Sequence, residues 1–109
     1  MSNTVQKTLI TLTTIIGFAA LTTSVYAAGG DAEAGKIKFK STCVTCHGSN
    51  AEGNVGPKLA GQPEADIIRK LTEFRAGKQR GPMTFMMAPM AQGLTEEEVK
   101  NVAAYVSSL

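Results

Sequence analysis

The chain of 109 residues holds one histidine and two cysteines, and that scarcity excludes several chemistries at once. A structural zinc site wants a closed tetrahedral set, commonly completed by a second Cys or His pair. No further Cys or His exists to supply one. Charge of one sign is also scarce: 11 Lys plus Arg stand against 9 Asp plus Glu, whereas a nucleic-acid binder normally carries a strongly basic face. Nucleic acid is therefore not an expected partner. Internal repeats and low-complexity tracts are absent. The apolar run at residues 9–21 is 13 residues, short against the roughly 20 that span a bilayer.

That run has a different meaning. "MSNTVQK" carries Lys7 beside the amino terminus, the uncharged run follows, and "VYA" puts small residues before Ala28. The plan is that of a secretory signal. Residues 1–27 are expected to be removed after Ala27, which leaves residues 28–109 as one exported, periplasmic domain with no membrane span. A domain of about 80 residues rarely buries enough apolar surface unaided, so a disulfide, a metal or a large cofactor is expected in its core.

All three scarce residues fall within "CVTCH": Cys43, Cys46 and His47. A Cys43–Cys46 disulfide would close a very short loop, stabilise little and leave His47 unexplained. A redox dithiol of the thioredoxin kind needs a preceding strand within a sheet, and neither flank reads as one. C-x-x-C-H is the signature of covalent haem attachment. Two thiols spaced this way add to the two porphyrin vinyl groups, and the adjacent imidazole projects toward the iron. One haem c per chain, held through Cys43 and Cys46 with His47 on the iron, is the expected cofactor.

With no second histidine, the other axial position falls to a different group. Every methionine after residue 27 lies in "GPMTFMMAPMAQG": Met83, Met86, Met87 and Met90. Pro82, Pro89, Gly81 and Gly93 in the same segment predict a loop wrapped over the cofactor, without helical or strand period. One of the four is the expected ligand.

Helices are predicted on either side. Asp31 caps one running to about Cys43, with Gly35 and Phe39 on one face. Pro63 and Gly77 bracket another whose Ile67, Ile68, Leu71 and Phe74 share a face. Thr95 and Glu98 form a capping box for the last, stapled by Leu94 and Val99, with Val99, Val102, Ala103 and Val106 facing inward. Glu96–Glu98 read as favourable charge at that helix's N-terminus.

"GDAEAGKIKF", "CVTCHG", "GPKLAGQ", "EFRAG", "MMAPMAQGLTEEEV" and "NVAAYVSSL" follow one another here, and in that order they resemble the small bacterial class I cytochromes c, especially the c553 type and the single domains of di-haem cytochromes c4. The resemblance covers about residues 29–109. It implies an all-α class I cytochrome c fold, with helices packed around one covalent haem. It also implies that Gly35 and Phe39 meet the last helix near Tyr105, and that the Pro57 carbonyl accepts the Nδ1 proton of His47. In that family the ligand methionine lies seven residues before the leucine that opens the last helix. Counting back from Leu94 gives Met87, with Met86 the runner-up and Met90 third. Relatives often carry an aromatic residue where this chain has Asp66 and Ile67.

An iron with two strong protein ligands has no open place for substrate, so the expected function is one-electron transfer rather than catalysis. Transient docking of a redox partner at the haem edge follows; Lys58, Arg75, Lys78 and Arg80 read by default as solvated surface, with a basic rim for an acidic partner as the sharper expectation. A second reading makes the domain the haem subunit of a redox enzyme complex, such as a sulfide-oxidising flavocytochrome with a flavoprotein subunit. A third, a haem sensor or peroxidase, requires Met87 to be weakly bound, and it lacks a second histidine or acid–base pair.

Overall fold

Asp31 stands in extended conformation and its carboxylate accepts from the N–H groups of Glu33 and Ala34, at 2.9 and 3.2 Å, which starts α1 at Ala32–Thr42. In this computed structural model, which describes residues 29–109, four more helices follow: α2 Val44–His47, α3 Glu64–Arg75, α4 Thr84–Gln92 and α5 Glu96–Ser107. No strand occurs among the described residues. The expected leader at residues 1–27 and the domain start at residue 28 lie outside them.

The first and last helices cross at glycine. A Cβ on Gly35 would run into the backbone of Asn101 and Val102, so only hydrogen allows the two helices to approach this closely. One turn on, the fully buried Phe39 ring meets Tyr105 at a centroid distance of 5.5 Å and 58°. Asn101 is buried with them, and its Oδ1 accepts from the Asp31 N–H at 2.7 Å, tying the start of α1 to the middle of α5. Lys38 and Glu98 pair across the same crossing at 2.9 Å.

The Thr95–Glu98 capping box is present in both directions, at 3.1 and 2.9 Å. Leu94, Val99, Val102, Ala103 and Val106 are buried behind it. Pro63 is the N-cap of α3, and Gly77, at φ 74°, follows its end. Ile67 and Leu71 are buried, and Ile68 and Phe74 pack against the same core.

The methionine segment departs from expectation: Thr84–Gln92 is a helix, α4, packed on α3. The period is hidden because apolar residues lie all round it. Thr84, Met87, Ala88 and Ala91 form the inward stripe, while Phe85, Met86 and Met90 are exposed. Pro89 sits in its sixth position and withholds one hydrogen bond, from the Phe85 carbonyl, which a short helix packed on a neighbour tolerates.

Candidate functional site

The segment from Cys43 to His47 is wound into a single helical turn. The His47 N–H donates to the Cys43 carbonyl at 3.0 Å and the Gly48 N–H to the Val44 carbonyl at 2.9 Å. Residues three apart on such a turn share a side, so Cys43 and Cys46 are presented together. Both thiols are free and half-buried. Burial pushes the Cys43 thiol up to about 11, against a smaller opposing effect of Lys38. The surroundings thus favour an uncharged sulfur, which a thioether is.

The loop from Gly48 to Ala60 then folds back over the imidazole. Gly53 N–H donates to the His47 carbonyl at 2.8 Å, Gly56 N–H to the Cys46 carbonyl at 2.6 Å, and the Leu59 and Ala60 N–H groups both reach the Ala51 carbonyl. This brings the Pro57 carbonyl 2.8 Å from His47 Nδ1. A carbonyl only accepts, so Nδ1 carries the proton and donates. The lone pair left for a metal is on Nε2. The ring is 7 % exposed. Gly56 lies flat against it: a Cβ there would stand 2.5 Å from Cε1 and 2.8 Å from Nδ1. Ala51, the hinge of the loop, is fully buried at φ 56°, a left-handed conformation unusual for a residue with a Cβ.

The four methionines do not share one environment. Met83, Met86 and Met90 are between 43 and 45 % exposed. Met87 alone of the four packs against the hydrophobic core. Arg80, expected on a basic rim, turns instead onto Glu73 and lies over the Phe74 ring, 5.9 Å from its centroid. Ala51, Gly56 and Asn101 were not singled out from sequence. The glycine of "NVGPK" was the one available signal.

The donors present are two unbridged thiols, an imidazole with Nε2 to offer and, on α4, one half-buried thioether packed against the same core as Cys43. They are nitrogen and sulfur atoms of the kinds that hold haem iron, and they fit a covalently attached haem. Among the described residues, no group of three or more His, Cys, Asp or Glu is placed to hold a separate metal ion.

A family model described as cytochrome c matches residues 32–109. The chain belongs to the cytochrome c family. It is 41 % identical over 81 residues to cytochrome c-554(548) of Halomonas halodenitrificans, covering 72 % of this chain and 96 % of that one. It is 32 % identical over 103 residues to a thiosulfate dehydrogenase electron acceptor of Stutzerimonas stutzeri, covering 87 % of this chain and 46 % of the relative. Among solved structures, cytochrome c4 of Acidithiobacillus ferrooxidans superposes with a TM-score of 0.65 at 37 % identity, covering 72 % of this chain and 49 % of that one. The chain therefore spans nearly all of the c-554 and about half of the other two. Like other cytochromes c, it is an electron-transfer haem protein and not an enzyme. Its haem c is attached through Cys43 and Cys46, and cytochromes c of this kind act with redox partners.

Proposed function

We propose that this cytochrome is a periplasmic one-electron carrier in which His47 and Met87 are the two axial ligands of the iron. When bound, the haem supplies a ferric–ferrous couple, and methionine sulfur raises its potential by favouring the ferrous state. The chain's own part is to hold both ligands in place, so that little moves between redox states. Pro57 fixes the imidazole ring through Nδ1 and raises its basicity as a ligand. Gly56 lets the loop lie against the ring, and core packing holds the Met87 side chain. The observation that carries the reading is the contrast along α4 and its N-cap: Met87 packs against the core, while Met83, Met86 and Met90 are 43 to 45 % exposed. A redox partner docks transiently at the haem edge.

The test is the weak far-red absorption of ferric iron bound to methionine sulfur, compared in wild type, Met87→Ala and Met86→Ala. The band is expected to vanish only in Met87→Ala; its loss only in Met86→Ala would move the ligand by one residue. The second reading, a dedicated acceptor or haem subunit of one enzyme, draws support from the relative named as a thiosulfate dehydrogenase electron acceptor. Copurification of a stoichiometric enzyme subunit, such as a flavoprotein, would favour it over a free carrier.

A further inference from the structure

Helix α4 has little to hold it in place by itself. It is nine residues long, it contains Pro89, and no side chain caps its N-terminus. Helices of this length are marginal in water. Its principal packing partner is α3. Whatever fixes the start of α4 to the end of α3 therefore fixes the position of Met87, one turn further on.

That link consists of a few side chains. The Arg80 guanidinium pairs with Glu73 and covers the Phe74 ring, both in the last turn of α3. Glu73 also faces Arg69 at 3.6 Å and Lys78 at 3.5 Å, so one carboxylate holds three cations. The pair is shielded, with side-chain exposures of 25 and 19 %. On the α4 side, the buried Thr84 hydroxyl accepts from the Arg80 N–H at 2.9 Å and donates to the Gly81 carbonyl at 2.8 Å. The Arg80 side chain thus grips α3, while its backbone is bonded to the first residue of α4. Thr84 and Met87 lie on the same inward stripe, three residues apart.

We propose that Glu73, Arg80 and Thr84 form a latch that positions Met87, and that opening it loosens the hold of Met87 on the iron without unfolding the domain. The inference rests on Met87 being the ligand. A shielded cluster is required for it to matter, because an isolated exposed ion pair contributes little. The polar contacts of these three side chains go to one another, to Arg69 and Lys78 and to the Gly81 carbonyl and Arg80 N–H, so theirs is a positioning role.

The test uses the ferric holoprotein titrated with imidazole, which competes for the sixth position, and follows the shift of the Soret band, a readout that does not depend on methionine being bound. Arg80→Ala, Glu73→Gln and Thr84→Val are each expected to bind imidazole at least ten-fold more tightly than wild type, equivalent to about 1.4 kcal/mol. Thr84→Ser, which keeps the hydroxyl, is expected to match wild type. Haem content and helicity should be unchanged. A merely structural role would lower the thermal midpoint and leave imidazole affinity alone, and that result would overturn the latch. Should Thr84→Val not accumulate, Arg80→Gln carries the same test from a partly exposed position. Met87→Ala, measured alongside, separates the two ideas. If it binds imidazole no more tightly than wild type, the ligand reading fails. If it binds far more tightly while the latch variants stay within two-fold of wild type, only the latch fails.

Discussion

The imidazole of His47 is held by two small decisions of the chain, a carbonyl at Pro57 and a missing Cβ at Gly56. Gly56→Ala forces either ring or loop to shift, and overpacking of this size costs about 1–3 kcal/mol. A lower thermal midpoint with an altered reduced spectrum is expected; an unchanged spectrum would count against ring displacement. Ala51 allows a finer reckoning. Its left-handed backbone costs about 1–2 kcal/mol, but glycine there would lose about 0.5–1 kcal/mol in chain entropy and about 0.8 kcal/mol for the buried methyl group. Ala51→Gly should therefore fall within ~1 kcal/mol of wild type by chemical denaturation, since these terms nearly cancel. Ala51→Val should lose ~3 kcal/mol or more, through overpacking added to a β-branched side chain at positive φ. At this scale the attachment residues were legible because C-x-x-C-H is contiguous. The left-handed Ala51 was not, since a backbone dihedral leaves no mark on an alanine. Asn101 was hidden too, as a polar residue in a helix reads as solvent-facing until a partner as distant as Asp31 is known.

Among the elements, the start and the apolar face of α5 were readable because its cap, its staple and its valines are all local signals, and only Asn101 on it was hidden. Thr95→Ala should cost about 1 kcal/mol of stability, the usual worth of such a cap. The Glu98 carboxyl is held below its ordinary range first by the Thr95 N–H and then by Lys38. A lowered native value stabilises the fold above the ordinary glutamate range, and the contribution is lost as pH falls through the native value. Thermal midpoints measured from neutral into acid should therefore fall less steeply for Glu98→Gln than for wild type. Helix α4 was not readable, because Pro89 within it, Pro82 just before it and its apolar residues on every side erase the period that marks a helix. What makes it helical is packing on α3, a tertiary fact. The α1–α5 crossing lay between these cases. Gly35 was legible through the family resemblance, and Gly35→Ala should prevent normal folding because a Cβ there meets backbone rather than a side chain that can move.

At the scale of the whole molecule, the buried apolar set among the described residues is small. It includes Ala51, Ala91 and Ala103, and its largest fully buried members are Phe39, Val99 and Val106. Side chains of that volume do not stabilise a domain of this size alone. Haem supplies the missing apolar surface as well as the redox centre, so Cys43→Ala/Cys46→Ala protein lacking haem should show no cooperative thermal transition by circular dichroism. That the chain needs a large cofactor was legible from length and cysteine count, and the count back from Leu94 picked Met87 among the four methionines through the family resemblance; the structure adds that Met87 is the one packed against the core. The same choice decides whether the iron is closed, as a carrier requires, or open to ligands. Carbon monoxide binding by the ferrous protein tests it most directly, in wild type and Met87→Ala side by side. The account predicts that wild type does not bind the gas and that Met87→Ala binds it readily. Ready binding by wild type, or none by Met87→Ala, would contradict it.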